Sequence, residues 1–300
     1  MNRRGLFVGL LGLDIIYQVE RLPSANEKIT ALDCVIAAGG PAANAAVTFA
    51  ALGGQATLAA VVGQHVTSEL VRADLRDWQI RICDLEPDCR RPLPLSSALS
   101  TAGTGDRAVV SLNARRLQAD ATLLPLALLD EIQVVLIDGH QLAASQAIAS
   151  QARARQIPVV LDGGSWKPGL DTILPAVDYA VCSADFFPPG CQTADAVVAY
   201  LSAQGVGQIA ITAGDRPIQY WQQDEAGVIP VPTVKAVDTL GAGDIFHGAF
   251  CAYIGAQDFP EALSSAAAIA APLLPVSRHT CWVASAAPGL MARSACYNLA

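Results

Sequence analysis

Short apolar runs alternate along the chain with longer segments that carry a helical pattern of apolar positions. The runs are nearly continuous in apolar residues, which is typical of strands buried on both faces of a sheet. They predict strands at residues 6–10, 56–62, 134–138, 158–162, 179–182 and 208–212. Helices are predicted at residues 42–52, 68–78, 143–155, 194–204 and 242–254. This alternation indicates an α/β fold with a central, mainly parallel sheet flanked by helices.

Two segments, residues 14–35 and 92–115, break this rhythm. Each contains two runs of strand type joined by turn residues, which predicts an antiparallel strand pair. Together the two pairs would form a small β-sheet lid inserted into one domain that spans residues 1–300. Lids of this kind exclude water around a reacting group.

Composition narrows the class of function. The chain has 300 residues of which 52% are hydrophobic, enough for a sizeable core, and a formal net charge of −8. That charge argues against non-specific binding to nucleic acid, which requires a basic face. The apolar runs are too short or too interrupted to span a bilayer. The eight cysteines show no CxxC spacing, so we expect reduced thiols in a cytoplasmic protein rather than a zinc site.

A glycine-rich turn before the last predicted helix is the most informative motif. Gly241, Ala242 and Gly243 immediately precede Asp244 in the sequence. The free N–H groups at the start of a helix favour an anion such as a phosphate. Asp244 would lie beside that anion, where a carboxylate can accept a proton from an attacking hydroxyl. A tight turn with a capping carboxylate explains the same spacing equally well.

A second glycine pair opens the first predicted helix. Gly39 and Gly40 allow a ligand to approach the backbone, and Asn44 can both donate and accept hydrogen bonds to a sugar hydroxyl. Asp14 follows the first strand, and ligands usually bind at the carboxyl ends of parallel strands. Taken alone, these residues also fit a strand-to-helix turn with a buried asparagine and a turn aspartate.

Both motifs resemble the signatures of the PfkB, or ribokinase-like, carbohydrate kinase family. Residues 238–244 read DTLGAGD and residues 39–44 read GGPAAN, in the family's order and about two hundred residues apart. The resemblance implies that Asp244 is the catalytic base and that the Gly241–Ala242–Gly243 amides form an anion hole. It further implies that Asp14, Gly39, Gly40 and Asn44 bind the acceptor, and that Asp238 helps fix the loop, near a monovalent cation such as K⁺ in some members.

The same resemblance implies ATP and Mg²⁺. Thr212 and Gly214 match the nucleotide-side loop of the family, and the helix at residues 260–271 with the loop at residues 277–279 would lie near the adenine. The metal ligands stay unassigned, because the family's Asn-x-x-Glu pattern is replaced by a segment in which only Asp185 is acidic. Lys167 follows a strand in a glycine-rich loop, where it would meet either an acidic group or solvent. For His247 a packed or hydrogen-bonded role is the simpler interpretation.

The acceptor is predicted to be an unphosphorylated sugar, with a ketose favoured. Many ribokinase-type relatives have lysine after the glycine pair, whereas this chain has Pro41. An adenosine or other nucleoside kinase, and a sugar- or nucleotide-binding protein without catalysis, are the alternatives. In some relatives the lids of two subunits pair with each other, so a homodimer through the lid is an open prediction.

Overall fold

A nine-stranded sheet forms the centre of the computed structural model of this chain, which describes residues 3–102, 106–114, 117–121, 124–223, 225–233 and 241–273. All neighbouring strands from β11 to β5 run parallel, and β12 and β13 add an antiparallel hairpin at one edge. In spatial order the strands are β13 (Glu225–Ile229), β12 (Arg216–Gln222), β11 (Gln208–Ala213), β10 (Tyr179–Ser183), β9 (Val159–Gly163), β8 (Val134–Ile137), β1 (Arg4–Val8), β4 (Gln55–Ala60) and β5 (Arg81–Asp84).

Helices cover both faces of this sheet, each over its own hydrophobic core. The first core lies under α1 (Pro41–Ala51), α2 (Val66–Asp77), α5 (Ala242–Tyr253) and α6 (Phe259–Leu273). The second core lies under α3 (Leu142–Ala154) and α4 (Ala194–Ala203). Since the central strands are buried on both faces, their sequences read as unbroken apolar runs rather than as alternating ones.

A second sheet of four strands covers one edge of the body. Its order is β3 (Asp33–Gly39), β2 (Gly12–Val19), β6 (Leu95–Thr101) and β7 (Arg107–Ser111). The pairs β2–β3 and β6–β7 are antiparallel, as predicted, and the two pairs join through a parallel contact between β2 and β6. The last residue of β3 is followed at once by Gly40 and α1, so this lid sheet is continuous with the glycine pair.

The predicted strands and helices of the body are confirmed, with ends that shift by no more than two residues. Three strands, β5, β12 and β13, were not predicted. They lie at the two edges of the large sheet, where one side of the strand faces water and the sequence alternates or turns polar. The reason is physical: continuous apolar runs mark only strands with both faces buried.

Helices α1 and α5 pack at unusually close range. A Cβ atom placed on Gly248 of α5 would lie 2.6 Å from the Thr48 Cβ of α1 and would also collide with the Ala45 carbonyl. The facing side of α1 is lined with small buried residues, among them Ala42 and Ala45. This contact fixes where the first turn of α5 lies relative to the first turn of α1.

We therefore expect Gly248→Ala to destabilise the fold. Alanine is favoured over glycine within helices by about 1 kcal/mol, but overpacking a tight contact costs roughly 1–3 kcal/mol, and here the blocking atoms include backbone. Urea unfolding should show a lower free energy of unfolding. Gly207→Ala is the matched control, because a Cβ there meets no atom within 4 Å. A Gly248→Ala protein as stable as the parent chain would contradict the argument.

Candidate active site

The first turn of α5 forms an open, electropositive helix end. Gly241 is the N-cap residue and adopts a left-handed conformation with φ of 77°. The first helical hydrogen bond runs from the Ile245 N–H to the Gly241 carbonyl at 2.9 Å. The N–H groups of Ala242, Gly243 and Asp244 precede it and have no acceptor within the helix, which makes this end suitable for a phosphate.

Asp244 is joined to α1 by a hydrogen bond. The Asn44 Nδ2 donates to Asp244 Oδ2 at 2.7 Å, across two hundred residues of sequence. Both side chains border Gly241, whose Cβ position would lie 3.8 Å from Asn44 Nδ2 and 3.9 Å from Asp244 Oδ2. The simple capping interpretation of Asp244 does not account for this contact. The structure instead brings the two signature motifs of the sequence into one site.

The Asp244 carboxyl titrates far from its ordinary range. Burial raises its pKa to about 7, and the negative charge of Asp162 adds to the rise. The hydrogen bond from Asn44 and the nearby His247 act in the opposite direction, while Asp138 raises the pKa further. A carboxylate whose pKa lies near neutrality can accept a proton from a hydroxyl and release it again, which is what a general base requires.

Asp14, Gly39 and Gly40 lie together at the base of the lid. A side chain on Gly39 would collide with the Asp14 carboxyl group, so the two residues are in direct apposition. Gly40 has φ of 105°, and a Cβ there would lie 2.9 Å from the Leu10 carbonyl carbon. The Asn44 N–H donates to the Gly40 carbonyl at 2.9 Å. The four residues predicted to bind the acceptor thus share one side of Asp244.

Asp138 organises this side of the site, although the sequence analysis did not single it out. Its side chain is buried and accepts N–H groups from Leu10 at 2.8 Å, Ala42 at 3.2 Å and His140 at 2.8 Å. It therefore ties the end of β1 to the start of α1. The signal was available: Asp138 directly follows an apolar strand at the edge where parallel strands end. Asp14, for which that position was predicted, lies instead inside β2 of the small sheet.

The residues predicted for the nucleotide lie at the carboxyl end of β11. Thr212 pairs with Ser183 of β10, and its hydroxyl donates to the Cys182 carbonyl at 3.3 Å. Gly214 has φ of 66° in the turn between β11 and β12. Helix α5, which carries Asp244, contacts the neighbouring strand β10 through His247. The helix predicted at residues 260–271 is confirmed as α6; Asp238 and residues 277–279 lie outside the described residues.

Metal ligands are not evident at the site. Within the ranges that the structure describes, no three His, Cys, Asp or Glu side chains converge as a metal site would require. Asp185 is exposed. Lys167 is half-buried and donates from Nζ to the Ser165 carbonyl at 3.1 Å, so its predicted anion contact stays a prediction. His247 is buried and hydrogen-bonded, as its simpler interpretation predicted.

The large parallel sheet, the second small sheet and the site between them define a ribokinase-like α/β fold. A putative ribokinase from Agrobacterium tumefaciens superposes with a TM-score of 0.79 at 24% identity, covering 98% of this chain and 100% of that one. The structure of Arabidopsis thaliana ribokinase in complex with ribose and ATP superposes with a TM-score of 0.72 at 22% identity. This match covers 92% of this chain and 94% of that one. A putative ribokinase II from E. coli, in complex with ATP and Mg²⁺, superposes with a TM-score of 0.73 at 18% identity. This match covers 93% of this chain and 95% of that one.

The chain belongs to the pfkB family of carbohydrate kinases, whose model matches residues 4–276. Among curated proteins, the ribokinase of Lactococcus lactis is 24% identical over 258 residues, which is 81% of each protein. The fructoselysine 6-kinase of Escherichia coli is 30% identical over 122 residues, 38% of this chain and 42% of that protein. The chain is accordingly a phosphotransferase with a hydroxyl acceptor. In the part of the chain that the structure describes, no helix could cross a membrane.

Proposed function

We propose that this protein transfers the γ-phosphoryl group of ATP to a hydroxyl of an unphosphorylated sugar, with Asp244 as the catalytic base. The observation that carries the proposal is the 2.7 Å hydrogen bond between Asn44 and Asp244 at the open start of α5. It brings a group suited to sugar hydroxyls, a base with a pKa of about 7 and a phosphate-binding helix end within one site.

The reaction follows from this arrangement. Asp14, Gly39, Gly40 and Asn44 hold the sugar so that one hydroxyl points at Asp244. The Asp244 carboxylate accepts the hydroxyl proton while the sugar oxygen bonds to the γ-phosphorus and the bond to the β-phosphate oxygen breaks, releasing ADP. The N–H groups of the Gly241–Ala242–Gly243 turn stabilise the charge on the transferring group, which is the dominant requirement in phosphoryl transfer.

The nucleotide would lie on the other side of Asp244, along the end of β11. Thr212 and Gly214 are placed to contact it there. Mg²⁺ commonly takes its ligands from nucleotide phosphates, water and one or two carboxylates. It therefore does not require three protein ligands, and no such group occurs among the described residues. When bound, Mg²⁺ would neutralise part of the negative charge of the nucleotide phosphates. The free thiols of all the described cysteines support a reducing compartment, the cytoplasm.

The charges at the acceptor side favour a neutral sugar. Asp14 lies against Gly39, Asp138 accepts the Ala42 N–H and Asp244 accepts from Asn44, so a phosphate on the acceptor would be repelled. Pro41 supplies no positive charge in the first turn of α1. We favour a ketose, in line with the GGPAAN form of the first signature and with the local identity to a protein named fructoselysine 6-kinase.

The outer face of the lid supports a homodimer. Side chains alternate between the two faces of a strand, so the face opposite Asp14 carries Tyr17, Ile36 and Val110, which are 38%, 57% and 77% exposed. The side chains at the centre of this outer face are all uncharged. An identical face related by a two-fold axis can therefore pack on it without repulsion, and we propose that a second copy of this chain does so.

Asp244→Asn is the first test of the function. The purified protein should consume ATP with Mg²⁺ and one member of a panel of fructose, other ketoses, ribose, deoxyribose, a sulfosugar and adenosine. In the variant kcat should fall by at least about 100-fold, the usual contribution of a general base, while calorimetry shows sugar and ATP binding little changed. Asp195→Asn, on the exposed start of α4, is the control. Equal turnover by the variant would count against the proposal, and so would a parent protein that phosphorylates no member of the panel.

The pH dependence of kcat/KM should report the titration of Asp244. Only the deprotonated carboxylate accepts a proton, so kcat/KM should decrease as the pH falls through about 7, the pKa of Asp244. Below that point it should drop about tenfold per pH unit and above it should level off. An ordinary aspartate would place this decrease near pH 4. Initial rates at subsaturating sugar measure the profile; a flat profile between about pH 5 and 8 would refute the assignment.

The dimer is tested by placing charge on the outer lid face. Val110→Lys sets two positive charges against each other across the two-fold axis and should convert the protein to a monomer in size-exclusion chromatography with light scattering. Val228→Lys is a matched control, since Val228 is 62% exposed on β13, at the far edge of the large sheet. A monomeric parent protein at micromolar concentration would exclude this interface.

A further inference from the structure

Both ring nitrogens of His247 face backbone carbonyl oxygens. Nδ1 lies 2.7 Å from the Gly243 oxygen and Nε2 lies 3.0 Å from the Val181 oxygen. The ring is 5% exposed, so water does not replace either contact. A neutral imidazole has one N–H donor only, and its other nitrogen would direct a lone pair at a carbonyl oxygen. A doubly protonated ring would instead donate to both carbonyl oxygens.

Asp162 supplies the counter-charge. Its side chain is buried, and Oδ1 accepts the Gly164 N–H at 3.0 Å. Its Oδ2 has no hydrogen-bond partner among the described residues and lies 3.6 Å from His247 Nδ1. A buried carboxylate with an open oxygen requires a positive neighbour. Lys167, on the following loop, directs its ammonium to a backbone carbonyl instead, and no described trio of side chains could hold a metal here.

We propose that His247 is a positioning residue: it carries both ring protons, pairs with Asp162, and holds the Gly243–Asp244 peptide and the charge balance at the Asp244 carboxylate. The hydrogen bond to the Gly243 carbonyl fixes the orientation of that peptide unit, whose other end is the Asp244 N–H. His247 touches neither reacting atom and acts through Asp244. The part of the proposal that concerns catalysis rests on the proposed kinase function; the protonation of the pair does not.

The two members of the pair act on Asp244 with opposite sign. The negative charge of Asp162 raises the pKa of Asp244, and His247 lowers it. Two further groups face Asp244 from other elements: Asp138 at the end of β8 raises its pKa, and the Asn44 amide of α1 lowers it. Loss of one member of the pair therefore leaves the charge of the other uncompensated.

Asp162 also faces a histidine and two thiols. Burial lowers the pKa of the His140 imidazole; the charge of Asp138 opposes that decrease, Lys167 adds to it, and Asp162 opposes it. Cys182 on β10 and Cys251 on α5 are buried thiols, and their pKa values are raised, first by burial and then by the negative charge of Asp162. They consequently carry no charge at neutral pH.

Nitrogen NMR of the intact protein tests the protonation directly. The chain has four histidines, so in protein labelled with ¹⁵N-histidine the His247 signals are assigned by their loss in His247→Gln. At about pH 7 both ring nitrogens of His247 should show the shifts and one-bond couplings of protonated nitrogens, whereas a solvent-exposed histidine is mostly neutral there. One protonated nitrogen and one lone-pair nitrogen would overturn the proposal. This measurement needs no kinase activity.

The pH profiles of charge variants test the coupling to Asp244. Asp162→Asn removes a negative charge and should move the acid limb of kcat/KM to lower pH by about one unit, and His247→Gln should move it to higher pH by about as much. The double variant should return close to the parent profile. A role in packing alone would lower rates or thermal stability without these opposite displacements. Displacements in the same direction, or none in variants that unfold at the parent temperature, would overturn the proposal.

The two experiments separate the two claims. A doubly protonated ring in a protein that phosphorylates no acceptor would support the pair and refute the kinase function. A singly protonated ring in an active kinase would refute the pair and leave the function standing.

Discussion

Helices α1 and α5 meet without a large side chain between them, and every other feature of the site depends on that contact. Gly248 allows α5 to lie directly against the Ala45 backbone. Only at this separation can Asn44, one turn into α1, reach Asp244 in the first turn of α5 with a 2.7 Å hydrogen bond. A packing constraint within the core thus determines the distance between Asn44, the group proposed to hold the sugar, and Asp244, the proposed base.

The electrostatics of the site follow from the same crowding. Asp138, Asp162 and Asp244 all lie where parallel strands end, and desolvation makes each negative charge costly. The protein offsets each one differently. Asp138 receives three backbone N–H groups. Asp162 faces His247. Asp244 receives the Asn44 amide, which lowers its pKa, but burial and the charge of Asp162 outweigh that bond and raise the pKa to about 7. The carboxyl group with this raised pKa is the one proposed to exchange a proton.

Much of this arrangement could be predicted from the sequence. Continuous apolar runs located the parallel strands, because strands with both faces buried carry no other pattern. The glycine motifs located the site, since Gly40 and Gly241 adopt backbone conformations that other residues rarely take. The hairpin strands β12 and β13 were missed because a half-exposed strand resembles a loop in composition. Asp138 was missed for another reason: two of the three N–H groups that it accepts, those of Leu10 and Ala42, come from segments that only the fold brings together.

The small sheet shares its strands with the residues proposed to bind the acceptor. Asp14 lies on β2, and β3 ends at Gly39, next to the helix that carries Asn44. The base of the small sheet is tied to the body, where the Ala38 N–H donates to Asp74 of α2 at 2.7 Å. The outer strand β7 is exposed along its whole length. In the proposed role as a lid, a sheet fixed at its base and exposed at its outer strand would admit a sugar and exclude water without displacing the residues proposed to bind it, since those residues lie at the fixed end.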